Sequence, residues 1–217
     1  MVYDFLKNND LVFDVGANVG LKTDVFLKKG AKVICIEPNP KCFNKLLTKY
    51  SENFNVKLVN KALSFKKGQS DLKMCKASTL STLSEKFISK TSILRFKEYS
   101  WDKKISVETD TLDSIIESFG IPFFCKIDVE GGELEVLNGL TLPIKNISFE
   151  FTPELYDNAE ACVKYIASLG NYKFNYSEGV SMDFTYSQNI DEKTLLDFLK
   201  TITDYEKSFG DIYSFLD

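Results

Sequence analysis

The chain has 217 residues, 44% hydrophobic and 27% charged, with a formal net charge of −4, the composition of a globular protein with one sizeable core. That charge offers no general attraction to nucleic acid or to an anionic membrane. There is no histidine, which excludes from the chain's own residues any mechanism built on an imidazole base, a Ser-His pair or a His-bound metal.

Residues 12–17 read as a first strand running into a turn with glycine at its two ends, Gly16-Ala17-Asn18-Val19-Gly20, and then a helix over 21–29 stopped by Gly30. A second strand over 32–37 ends in Ile36-Glu37-Pro38-Asn39, where Asn39 caps and Pro40 starts a helix with Phe43, Leu46, Leu47 and Tyr50 at helical spacing. Residues 56–64 are strand-like, and Lys67-Gly68-Gln69 is expected to fold them into a hairpin with 71–75. Residues 76–104, rich in Ser, Thr and Lys without a sustained period, read as an insertion over a site, with one short helix. Within it Phe96 and Trp101 either stack on a sugar ring or anchor the segment to the core.

Alternation resumes with a strand over 105–108 and a helix bearing Leu112, Ile115, Ile116 and Phe119 on one face. An apolar strand follows over 123–129, then a helix over 133–140, a strand over 146–152, a helix over 160–169 and a strand over 172–176. A helix over 191–202 and a strand over 211–215 close the chain. The polar, aromatic-interleaved segment 177–188 is either a lid over an acceptor or a plain edge hairpin. Such alternation with apolar strands predicts an α/β fold, a mainly parallel sheet covered by helices on both faces, in one domain over 1–217. Ligands of that architecture sit at the carboxyl ends of the strands where strand order reverses.

Two features lie at such ends. A dinucleotide loop uses a middle glycine to let the backbone close on a pyrophosphate; here that glycine is missing. The turn still bends sharply and packs its helix, but suits a cofactor without phosphate at that point. S-adenosylmethionine fits, with Glu37 accepting hydrogen bonds from both ribose hydroxyls. An acid at that place is shared with NAD sites, so Glu37 alone leaves a nicotinamide-dependent dehydrogenase open. The second feature is Lys126-Ile127-Asp128-Val129-Glu130-Gly131-Gly132. Strand geometry predicts Lys126, Asp128 and Glu130 on one face, and charges so placed are expensive unless paired or in use.

Together these runs resemble the FkbM family of S-adenosylmethionine-dependent methyltransferases. The matching stretches are Val-Phe-Asp-Val-Gly-Ala-Asn-Val-Gly at 12–20, Ile-Glu-Pro-Asn-Pro at 36–40, Thr-Leu-Asp at 111–113, Lys-Ile-Asp-Val-Glu-Gly at 126–131 and the helix Glu133-Leu134-Glu135-Val136-Leu137 followed by Gly139. The resemblance implies a Rossmann-like class I methyltransferase fold, a seven-stranded mainly parallel sheet with the last strand, near 211–215, antiparallel. It also implies O-methylation of a sugar, glycan or small-metabolite hydroxyl. It carries over Asp14, Gly16, Asn18 and Gly20 as the cofactor loop, Glu37 as the ribose ligand, and Asp128 and Glu130 as active-site acids, Asp128 also beside the cofactor.

A hydroxyl acceptor loses its proton as it attacks, and without histidine the base falls to Asp, Glu, Lys or Tyr. Asp128 or Glu130 is expected in that role, with Lys126 keeping the carboxylates ionised or orienting the acceptor. No metal is expected, although Asp128 and Glu130 with Glu150 offer the oxygen ligands that Mg²⁺ takes. A non-catalytic scaffold that keeps the cofactor fold is the other alternative. The five cysteines, Cys35, Cys42, Cys75, Cys125 and Cys162, lack any Cys-x-x-Cys pair and read as buried reduced thiols. Arg95 is the only arginine, so guanidinium recognition of phosphate is largely unavailable. With neither a signal-like start nor ~20 consecutive apolar residues, a cytoplasmic location is expected.

Overall fold

The computed structural model describes residues 2–217. The elements are β1 (Leu11–Val15), α1 (Leu21–Lys28), β2 (Lys32–Ile36), α2 (Pro40–Tyr50), β3 (Val56–Val59), β4 (Ala62–Leu63), β5 (Gly68–Met74), α3 (Glu85–Thr91) and β6 (Lys103–Asp110). They continue as α4 (Leu112–Phe119), β7 (Phe124–Ile127), α5 (Glu133–Leu137), β8 (Asn146–Phe151), α6 (Tyr156–Leu169), β9 (Tyr172–Glu178), α7 (Glu192–Leu199) and β10 (Gly210–Leu216). The expected start of α2 is present: Asn39 Oδ1 accepts from Lys41 N at 3.0 Å, and Pro40 occupies the first helical position.

Strands with an apolar residue at nearly every position must be covered on both sides. They form a seven-stranded sheet in the order β3-β2-β1-β7-β8-β10-β9. Its pairs are parallel except those of β10, which runs antiparallel to both β8 and β9. On one face Phe13, Ile34, Cys125, Ile147 and Ile212 pack under α4 to α7, through Ile115, Val136, Val163 and Leu195. On the other, Val12, Val33, Phe124 and Tyr213 meet Phe26 of α1 and Leu46 of α2. Residues ahead of β1 close that face: the Tyr3 ring meets Phe26 edge-on at 5.1 Å, and Phe124 lies 5.7 Å from Phe26. Truncating a fully buried ring of this kind to alanine costs about 3–5 kcal/mol. All five cysteines are free and buried, as their spacing predicted.

The expected hairpin of 56–64 with 71–75 does not form. The run splits after Val59: β3 joins the edge of the main sheet, whereas β4 joins a separate three-stranded sheet in the order β4-β6-β5. β5 pairs antiparallel with β6, Gly68 opposite Thr109 through Met74 opposite Lys103, so the strand near 105 lies outside the main sheet. Only Leu72 of β5 is buried, and its partner is chosen by the apolar face that Ala62, Leu72 and Val107 share. Within 76–104 the structure has a 3-10 turn at Ser78–Leu80 and the short helix α3. Phe96 and Trp101 anchor this segment: both pack against Phe87, and Trp101 Nε1 donates to Leu80 O at 2.6 Å.

Candidate active site

β1 and β7 are neighbours in the sheet although far apart in sequence, and the order reverses between them. A ligand crevice belongs at their carboxyl ends. A cavity of about 480 Å³ opens there, lined by Gly16, Asn18, Glu37 and Pro38 on one side and by Asp128, Val129 and Glu130 on the other. Ser78, Thr79, Thr82 and Leu83 from the segment between β5 and β6 close over it.

The loop after β1 is shaped by close approach. Gly16 has φ +80, and a Cβ there would stand 1.8 Å from Asp128 O, so only glycine lets the two loops meet. Asn18 is left-handed at φ 48, and its amide donates to Glu37 Oε2 at 2.8 Å. Glu37 Oε1 accepts from Asn39 N at 2.7 Å. Burial pushes the Glu37 carboxyl up to about 7, against the pull of those two amides. Each oxygen keeps acceptor capacity toward the cavity. Asn18 Oδ1 lies 3.2 Å from Ser78 Oγ, joining the loop to the covering segment.

Not all the expected cofactor residues face this space. Asp14 is buried beneath it and accepts from Thr23 Oγ1 of α1 at 2.5 Å, because residue 14 alternates to the α1 face of the sheet. Gly20 starts α1 against Tyr50, whose hydroxyl donates to Gly20 O at 2.9 Å. Neither lines the cavity, and both support the loop from behind.

The acidic end also departs from the expected alternation. β7 stops at Ile127, so Asp128 and Glu130 stand in the following loop, and Glu130 is left-handed at φ 55. Lys126 is 2% exposed, outside the cavity lining, with Nζ 2.6 Å from Asp128 Oδ2. Burial opposes its charge, but Asp128, Asp211 and Asp14 outweigh it and hold the ammonium above its usual range. One oxygen each of Asp128, Glu130 and Glu150 lie within 4.8 Å of one another, because β8 brings Glu150 alongside and β10 places Asp211 directly opposite Glu150. Burial, and then the neighbouring carboxylates, raise Glu130 and Glu150 well above the ordinary range. Two chemistries relieve such crowding: protons held on the acids, or a hard divalent cation bridged by their oxygens.

Sequence reasoning left three contributors unassigned. Glu133 accepts from Val129 N at 3.2 Å and Gly131 N at 3.0 Å. Thr82 Oγ1 donates to Glu130 O at 2.7 Å. Asp211, 83 residues after Asp128, comes beside Glu150 only because β10 inserts between β8 and β9. For Glu133 alone a local signal existed, an acid directly after a Gly-Gly turn at a helix start. The segment 177–188 stays away from the cavity: Phe184 packs edge-on to Tyr213 at 5.1 Å, and Val2 N donates to Met182 O at 2.7 Å.

This arrangement can be set beside known proteins. The chain is 26% identical over 145 residues to a hexuronic acid methyltransferase, AglP, of Haloferax volcanii, a match covering 66% of this chain and 55% of that protein. It therefore spans about half the length of that curated relative. Among solved structures, a precorrin-6y C5,15-methyltransferase from Geobacter metallireducens has a TM-score of 0.51 at 10% identity, covering 97% of this chain and 82% of its own. That likeness shows the Rossmann-like methyltransferase fold. The Methyltransferase FkbM domain pattern matches residues 14–203, a span that starts within β1 and includes the loop after it, Glu37 and the acids after β7. The nicotinamide reading has no support in these matches, and the chain belongs to the FkbM methyltransferase family.

Proposed function

We propose that the chain is an S-adenosylmethionine-dependent O-methyltransferase acting on a hydroxyl of a sugar, glycan or small metabolite. The observation that carries this reading is Glu37, whose two oxygens are oriented by Asn18 N and Asn39 N at the wall of a cavity that reaches Asp128 and Glu130. The residues present fit the cofactor: a carboxylate for the ribose hydroxyls, a glycine turn without the middle glycine that a pyrophosphate needs, and an acidic surround for a sulfonium.

When bound, S-adenosylmethionine supplies a methyl carbon activated by the sulfonium; the acceptor oxygen bonds to that carbon as the carbon–sulfur bond breaks, leaving S-adenosylhomocysteine. The chain's part is to align the reactants and to take one proton. Glu130 lines the cavity, and its raised basicity suits it to receive the hydroxyl proton once ionised. Lys126 holds Asp128 in place through the 2.6 Å pair, orienting the second acid toward the acceptor. A proton held on Glu150 relieves the crowding around an ionised Glu130, so this reading invokes no metal.

The test is calorimetric titration with S-adenosylhomocysteine, followed by transfer of labelled methyl from S-adenosylmethionine to neutral methyl glycosides with and without EDTA. Micromolar binding lost in Glu37→Ala is expected. Glu130→Gln should bind within about threefold of wild type yet turn over at least ~100-fold more slowly. Absence of binding in the wild type would overturn the cofactor assignment; full turnover in Glu130→Gln would overturn the base.

A further inference from the structure

The loop after β7 holds a conformation its sequence does not favour. Glu130 at φ 55 and Gly131 at φ 85 are consecutive left-handed residues, and a residue with a long side chain stays there only where its surroundings over-determine it. The amides on either side of Glu130 both run to one atom: Glu133 Oε1 accepts from Val129 N and from Gly131 N, at 3.2 and 3.0 Å. From the other side the Glu130 carbonyl accepts from Thr82 Oγ1 at 2.7 Å. Thr82 is itself fixed by two backbone bonds to Lys73, at 2.8 and 3.0 Å.

Glu133 is 2% exposed and does not line the cavity, so it touches no reacting atom. Its second oxygen accepts from Asn158 Nδ2 of α6 at 3.3 Å. Burial raises its carboxyl to about 7. Two buried amides flanking a left-handed glutamate need an acceptor oxygen, and Glu133 supplies it.

We propose that Glu133 is a positioning residue: its Oε1 clamps the amides of Val129 and Gly131 and, with Thr82 on the carbonyl side, fixes the turn that aims the Glu130 carboxylate at Asp128 and Glu150. This rests on reading Glu130 as an acid of the methyl-transfer site. Thr82 comes from the segment covering the cavity, so the cover and the acid are one mechanical unit.

The test compares Glu133→Ala, Glu133→Gln and Thr82→Val in the full chain. Amide exchange at Val129 and Gly131 is followed, together with carboxyl-carbon NMR titration of Glu130. Alanine removes both the charge and the acceptor; glutamine removes the same charge and keeps an acceptor oxygen. In Glu133→Ala the two amides should exchange at least ~100-fold faster, and the Glu130 midpoint should fall by a pH unit or more as the group leaves its acidic neighbours. In Glu133→Gln the amides should exchange within about threefold of wild type, and the Glu130 midpoint should fall by clearly less than in Glu133→Ala, through the lost charge alone. Equal movement of Glu130 in both variants would reduce the effect to charge and overturn the proposal, as would unchanged amides in Glu133→Ala. Thr82→Val, which leaves Glu133 intact, should speed Gly131 exchange about tenfold and gives an independent arm if Glu133→Ala does not fold; unchanged exchange there would overturn Thr82's part. Failure of the wild type to bind S-adenosylhomocysteine would remove the cofactor reading while leaving these readouts intact.

Discussion

If Glu37 holds the ribose as proposed, folding and ligand binding respond to pH in opposite senses. The Glu37 carboxyl is raised from 4.5 to about 7 in the folded chain, as is that of Glu133, in both cases chiefly by burial. For an acid whose folded value is raised, the stability contribution is fully present below about 4.5 and is lost as pH rises through about 7. Held ionised, each group costs folding roughly 3 kcal/mol, so the melting temperature should fall between pH 5 and 8, and less steeply in Glu37→Gln. Binding has the opposite sign, because ribose hydroxyls donate best to the ionised form. S-adenosylhomocysteine affinity should weaken by roughly tenfold from pH 8 to pH 6, and titration calorimetry at the two values in wild type and Glu37→Gln checks it. The place of Glu37 was legible because an acid ending a strand before Pro-Asn declares itself in the sequence. The orientation of Asp14 toward α1 was not, since alternation gives two faces without saying which one meets the ligand.

At the scale of elements, the segment from α3 to β6 is held by a buried ion pair as well as by Phe96 and Trp101. Arg95 and Glu154 are 7% and 6% exposed and meet through Nε to Oε1 at 2.7 Å and a second nitrogen to Oε2 at 3.1 Å. The guanidinium also donates to Ser208 O. The only arginine is thus committed to tying the cover to the turn before α6 and the approach to β10. Removing one partner of a buried pair strands the other charge, so Arg95→Ala should lose roughly 3–5 kcal/mol in urea unfolding. The double variant Arg95→Met, Glu154→Leu should recover most of that loss. The sequence marked the segment as irregular and over a site and offered Phe96 and Trp101 as its anchors, but not this ion pair, because a pair 59 residues apart has no local signature. The hairpin expected of β5 was wrong for a related reason: a strand with one buried side chain has little local preference, and its partner was decided by which apolar face lay near.

For the whole molecule, topology gathers carboxyl groups at and behind the inner wall of the cavity, where burial raises Glu130, Glu150 and Asp211. β7, β8 and β10 deliver Asp128, Glu150 and Asp211 to adjacent places, with Glu130 beside them and Lys126 already paired. Where these acids are ionised, an anionic acceptor would meet a negative field, and the one guanidinium is paired with Glu154. Although the named acceptor of the Haloferax relative is a hexuronic acid, a neutral methyl glucoside should be preferred here to the corresponding glucuronide by at least about tenfold in kcat/KM. The gap should narrow as salt screens the field. Initial rates on the two acceptors at low and high ionic strength check this; preference for the glucuronide would refute it. Among the described residues no helix is long and apolar enough to cross a membrane.

The sequence by itself determined the alternation of strands and helices, the glycine turn, the acid after β2 and the acidic run after β7, because each is written in local periodicity or in a short spacing. Tertiary structure decided which of those residues share a cavity. Strand order brought the β1 and β7 loops within one Cβ of collision, and a left-handed turn, rather than strand alternation, carried Glu130 to its neighbours. The insertion of β10 supplied Asp211, and a buried glutamate, Glu133, supplied the clamp. These outcomes depend on contacts between segments far apart in the chain, which local propensity does not encode and which exist only once the sheet has closed.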